Sequence, residues 1–112
     1  MATLPKHIQV LYNRYKVKTK RELRDGDGEK LVGLILHDDS IIWIEECQAA
    51  GPMAETVLHE VLHACWDKTT LSLLPSTDSD VEEMIVKSLT PVLLDTLQRN
   101  PELVDYLLEG GS

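Results

Sequence analysis

Glu55-Thr56-Val57-Leu58-His59-Glu60-Val61-Leu62-His63-Ala64-Cys65-Trp66 carries the organising signal of this chain. Together with Met53, the residues Val57, Leu58, Val61, Leu62 and Cys65 form an apolar stripe over about four turns of helix. Pro52 suits the first position of such a helix, where its missing N–H costs nothing. Inside the stripe, His59, Glu60 and His63 spell H-E-x-x-H. Four residues at ~100° each advance ~400° around the axis, so both imidazoles fall on one face, about one turn apart. Two neutral imidazoles so placed suit a shared Zn²⁺, with Glu60 beside them to take a proton from water. The flanking aliphatic residues make a dry surround, which strengthens the electrostatics of the site. Cys65 lies two residues past His63, roughly 200° away, and cannot ligate the same ion.

Upstream of this helix the apolar period changes from 3.6 to 2. Leu31-Val32-Gly33-Leu34-Ile35-Leu36 and Ile41-Ile42-Trp43-Ile44, joined by His37-Asp38-Asp39-Ser40, read as a β-hairpin. The exposed edge of the Ile41–Ile44 strand is expected to pair with an extended substrate. Asp25-Gly26-Asp27-Gly28 is a turn in which glycine accepts positive φ without steric cost. Tyr15-Lys16-Val17-Lys18-Thr19 alternates as a strand with one solvated, basic face. From Leu4 to about Tyr15, apolar Ile8, Leu11, Tyr12 and Tyr15 stand at helical spacing and predict a short amphipathic helix.

Downstream, a polar segment from Asp67 to Asp80 leads into a helix that starts near Ser79 or Asp80 and is expected to kink or end at Thr90-Pro91. Asn100-Pro101 reads as cap and first position of a last helix reaching Leu108. The fold class is α+β, with a small antiparallel sheet or hairpin packed on the H-E-x-x-H helix and the C-terminal helices. Residues 1–109 read as one domain, and Gly110-Gly111-Ser112 as a flexible tail.

A catalytic zinc site keeps three protein ligands and one open position. The third is sought in Glu82 or Glu83, 19 and 20 residues after His63. Val81, Ile85, Val86, Leu89 and Leu93 define an apolar helix face that includes Glu82, which favours Glu82 as the ligand. Glu83 is the alternative. Ser79-x-x-Glu82 also fits a capping box, in which Glu82 would reach back to the helix start.

On these residues the chain resembles the small zincin-like metallopeptidases, of the ImmA/IrrE type and related bacterial or phage-encoded proteins. The likeness rests on a short hairpin, then Glu55 to His63, then a glutamate-led helix. It implies a minimal zincin core over about residues 30–98, bound Zn²⁺, and hydrolysis of a protein or peptide substrate. The gluzincin spacing within that group favours Glu83 over Glu82. The segment after the glutamates, Met84-Ile85-Val86-Lys87-Ser88-Leu89, departs from the group's usual Ala-Asn-x-Phe-Ala. A zincin-like metal-binding regulatory or interaction domain without catalysis is the alternative function.

Composition narrows the partners. The chain has 112 residues, 11 Lys+Arg against 19 Asp+Glu, and a formal net charge of −8. An acidic chain of this kind is not expected to bind nucleic acid, although Lys16, Lys18, Lys20, Arg21 and Arg24 gather five positive charges in one stretch. No apolar run reaches the ~18–20 residues of a membrane span. Without the apolar core of a signal peptide at its start, the chain is expected in the cytoplasm. Cys47 and Cys65 are expected as reduced, buried thiols. Trp43 and Trp66 are expected in the core, His37 in an exposed turn, and Asp67 either solvated or orienting His63. Tyr106, Tyr12, Tyr15 and His37 are the candidates for a group that stabilises an oxyanion, and spacing does not choose among them. Oligomeric state has no signature in the sequence.

Overall fold

Alternation of inward and outward side chains organises the first 45 residues. A computed structural model of the chain describes residues 3–69 and 79–109, apart from the side chains of residues 79, 80, 82, 83 and 86. Strands β1 (His7–Val10), β2 (Asn13–Lys20), β3 (Gly33–Leu36) and β4 (Ile41–Glu45) are followed by helices α1 (Ala50–Asp67), α2 (Ser79–Arg99) and α3 (Pro101–Glu109). The class is α+β. The strands form one sheet in the order β1-β2-β4-β3.

The sheet is mixed rather than antiparallel. β1 pairs antiparallel with β2, β3 antiparallel with β4, but β2 runs parallel to β4 with Lys16 opposite Ile41 and Lys18 opposite Trp43. β4 therefore has a neighbour on each side, and the expected free edge at Ile41–Ile44 does not exist. The open edge on that side of the sheet is β3.

Where a helix was expected from Leu4 to Tyr15, the chain instead forms β1, a two-residue turn and β2. Ile8, Val10 and Tyr15 are fully buried on one face of the sheet. The turn is made by Leu11 with φ of 52° and by Tyr12, which is 82% exposed. An aliphatic residue in the left-handed region is unusual, so this turn lacks the Asn-Gly signature that announces most hairpins. The Asp25–Gly28 turn forms as expected. Asp25 Oδ1 accepts from Asp27 and Glu29 N–H at 2.8 and 2.9 Å, and Gly28 takes φ of 83°.

The core lies between the sheet and the helices. Ile8, Val10, Tyr15, Ile42 and Ile44 from the sheet meet Val57, Val61, Ala64 and Cys65 of α1 and Leu103 of α3. Full burial of an aliphatic side chain of this size contributes roughly 1.5–3 kcal/mol, and this cluster holds α1 and α3 on the sheet. Trp43 and Trp66 are half-buried and stand outside this cluster, contrary to the expectation of core anchors. Cys65 is buried and free, whereas Cys47 is exposed.

α2 continues through Pro91 to Arg99 without a break. It turns Leu89, Val92, Leu93 and Leu97 toward the core and leaves Met84 and Leu94 half exposed. At its end the Asn100 side chain joins α2 to β1, with Nδ2 donating to Thr96 C=O at 2.6 Å. Asn100 Oδ1 accepts from Gln9 N–H at 2.9 Å, and Nδ2 donates to Gln9 C=O at 2.8 Å. Only the Asn100 backbone carbonyl serves α3, accepting from Leu103 and Val104 N–H. The segment after Thr69, including Leu71 to Pro75, and the Gly110–Ser112 tail lie outside the described residues. Among the described residues no helix is long and apolar enough to cross a membrane.

Candidate metal centre

α1 runs for 18 residues and presents His59, His63 and Asp67 at successive turns of one face. Each step of four residues rises ~6 Å, so the three side chains form a stripe along the helix. The two imidazoles converge. His59 Nε2 and His63 Nε2 lie 3.1 Å apart, with ring centroids at 4.7 Å and planes at 73°. Ligands ~2.0–2.1 Å from a shared tetrahedral zinc would stand ~3.3–3.4 Å apart, so the pair fits one ion with little adjustment. Both histidines are exposed, which leaves the remaining coordination directions open to solvent and to another segment.

Glu60 points into the seam between α1 and β3. It is 5% exposed. Burial pushes its carboxyl above the ordinary value, while charge on His63, His59 and His37 acts in the opposite direction. The carboxylate fits because β3 has a glycine opposite it. A Cβ on Gly33 would stand 2.8 Å from Glu60 Oε2 and 2.8 Å from Thr56 Cγ2. The sequence carried one trace of this contact: a glycine interrupting a β-branched run marks a close approach of another group. Thr56 is fixed in turn, donating to Gln48 Oε1 at 2.9 Å and Pro52 C=O at 3.0 Å. Gln48 Nε2 donates to Glu45 C=O at 2.9 Å and, more weakly, to Val32 C=O at 3.3 Å, tying the hairpin to the start of α1. An open cleft of about 540 Å³ follows this seam, between Lys30–Gly33 and the α1 residues Pro52, Glu55, Thr56, His59 and Glu60.

The far end of the stripe is closed by the hairpin turn. His37 Nδ1 lies 3.3 Å from Tyr15 Oη and 3.6 Å from Asp67 Oδ2. His37 is therefore half-buried and held, not the free turn residue its setting suggested. Asp67 engages His37 and Lys68 Nζ, the latter at 3.5 Å. Tyr15 is buried, and its phenol is pushed up by that burial and next by Asp67. The remaining oxyanion candidates sit elsewhere: Tyr106 is buried among the helices, and Tyr12 stacks under Lys68 Nζ at 4.8 Å. Cys65 faces inward, with Sγ 3.6 Å from Thr96 Oγ1, as its position on the wheel required.

β3 runs along this stripe, from Gly33 beside Glu60 to His37 beside Asp67. Val32 C=O accepts from Glu45 N–H at 2.8 Å. The alternation of an antiparallel ladder then turns the peptide groups of Gly33 and Ile35 away from β4, toward the open edge.

The third ligand expected at Glu82, or alternatively Glu83, falls on side chains outside the described residues, as does the Ser79 capping box. Among the described residues no group of three His, Cys, Asp or Glu side chains is arranged to hold a metal. Comparison of the chain with family models, curated proteins and solved structures finds no match.

Proposed function

We propose that this chain is a zinc-dependent peptidase of the small zincin type. The observation that carries the reading is the convergence of His59 and His63 at 3.1 Å on the helix that also buries Glu60 against a strand edge. His59 and His63 are assigned as ligands. Glu82 is assigned as the third, on its place in the apolar spacing of Val81, Ile85, Leu89 and Leu93 in the sequence. Glu83 is the alternative. Bound zinc would supply Lewis acidity at the open position.

The chain's own residues supply the rest. An extended peptide adds to the β3 edge through the outward peptide groups of Gly33 and Ile35, which sets the scissile bond over the histidine pair. Glu60 takes a proton from the attacking water and returns it to the departing amine. A carboxyl raised by burial suits both halves of that task better than an ordinary one. His37, oriented by Asp67 and Tyr15, donates to the oxygen that gains charge.

Two measurements on the purified chain test the reading. Metal analysis is expected to return one zinc per chain, lost in His59→Ala. Peptide-library cleavage is expected to stop with chelator and in Glu60→Gln, with zinc retained by the latter. Zinc retained without cleavage in the unaltered chain would favour a metal-binding regulatory domain, and no zinc at all would remove both readings.

A further inference from the structure

Residues opposite one another in neighbouring strands share a face of the sheet. The register therefore gathers Arg14, Lys16, Lys18 and Lys20 of β2 with Ile41, Trp43 and Glu45 of β4 and Leu34 and Leu36 of β3 on the face turned away from the helices, the Glu45 carboxylate being taken by Leu23 and Cys47 N–H. The core side of the sheet is covered by the helices, with Ile8, Val10, Tyr15, Ile42 and Ile44 fully buried, whereas no described element packs on this one. Its two halves differ in chemistry. All four cations are exposed, and among the described residues none has a carboxylate within 4 Å. Lys18 Nζ lies 5.6 Å from the Trp43 ring and marks the border between the basic and apolar halves. Such a row is out of character for a chain with a net charge of −8.

We infer that this face docks an acidic amphipathic helix of another protein. A helix is the element that ordinarily covers the second face of a sheet. Its apolar stripe would lie along Leu34, Ile41 and Trp43, and carboxylates on the flank over β2 would meet Lys16, Lys18 and Lys20. The apolar half argues against single-stranded nucleic acid. It is aliphatic apart from Trp43, whereas binding of bases relies on several aromatic faces. The surface lies across the sheet from His59 and His63, so it stands independently of the metal reading.

The test is a titration of the full chain, followed by amide NMR shifts. The probes are a synthetic amphipathic helix of about 18 residues with a Leu stripe and Glu flanks, the same peptide with Lys flanks, and oligothymidylate. The acidic peptide is expected to move the amides of Lys16, Lys18, Leu34 and Trp43 and to bind at least about tenfold tighter than its basic counterpart. Added salt should weaken it. K16Q/K18Q/K20Q, which removes the charge with a polar, uncharged side chain and leaves strand pairing intact, should lose about tenfold in affinity with an unchanged circular dichroism spectrum. Equal binding of both peptides, no loss in the triple variant, or tighter binding of oligothymidylate would overturn the proposal. So would shifts at this face that follow only the protein's own concentration, which would make the occupant a second copy.

Discussion

At the β1 edge of the sheet, the peptide group of Gln9 points away from β2, and the Asn100 amide takes both its N–H and its C=O. At the β3 edge, Gly33 and Ile35 point away from β4 in the same manner, yet no described strand pairs with them. An unpaired edge invites any extended chain to pair with it, and natural sheets usually block theirs. This chain blocks one edge from 91 residues away and leaves the other open for four residues beside the histidine pair. The contrast teaches that edge exposure here is selective: the edge that lies along His59, Glu60 and His63 is the one kept accessible.

The largest effect expected on that comparison comes from Glu60, which faces the open edge. Glu60→Gln should lower peptide cleavage by about 10²–10⁴, measured as kcat with zinc bound. The same change should stabilise the metal-free chain. A carboxyl whose folded pKa is raised loses stability as pH climbs from the unfolded value of 4.5 toward the folded one, so removing its charge restores stability above that window. A rise in Tm at neutral pH together with lost cleavage would mark a residue kept for chemistry at the expense of folding.

Gly33→Ala comes next. The added methyl meets Glu60 Oε2 and Thr56 Cγ2 at 2.8 Å, so the Glu60 carboxylate must move from its seat and Thr56, held by Gln48 and Pro52, must give. Overpacking of this kind costs about 1–3 kcal/mol, readable by urea denaturation, and cleavage should fall with it. Asn100→Ala is the control at the opposite edge. It strips the partners from Gln9 and should cost a comparable ~1–3 kcal/mol while leaving kcat/KM of the proposed cleavage unchanged. Equal damage to cleavage from both variants would break the distinction between the edges.

The smallest effect is on pH dependence at Glu45, where β4 ends. Its carboxylate accepts from Cys47 N–H at 2.9 Å and Leu23 N–H at 2.8 Å, and those bonds hold its pKa below the ordinary value. A depressed folded pKa gives stability that is present above the unfolded value and lost as pH falls through the folded one. Glu45→Gln should therefore be less stable at pH 7 and flatter in its acid unfolding curve, with cleavage at neutral pH unaltered.

Much of this arrangement was legible in the residues, because helical period and β alternation are local signals. The α1 stripe, the hairpin around His37 and the inward turn of Cys65 follow from spacing alone. The N-terminal hairpin was not legible, because Ile8, Leu11, Tyr12 and Tyr15 mimic a helical period and the reversal rests on a leucine at φ of 52° rather than on Asn-Gly. Nor was the parallel pairing of β2 with β4, since strand order depends on which edge each hairpin buries, not on the composition of either. Within the site, the positions of His59 and His63 could be read from spacing, but the reason for Gly33 and the partnership of His37 with Asp67 required knowledge of which strand crosses α1. Pro91 lies inside α2, so of the two outcomes expected of it the ending of the helix does not occur, and Leu89, Val92 and Leu93 pack on the core on either side of it.

The β3–β4 turn spans four residues, whereas 20 residues separate Lys20 from its strand-mate region at Ile41. Closing the short loop costs less entropy, so this hairpin is expected to form on its own before it joins the N-terminal pair. A chain in which this hairpin has formed but α1 has not docked thus holds the strand edge without the histidine pair beside it. Under the proposed activity, the two halves of the site meet only when α1 packs on the sheet.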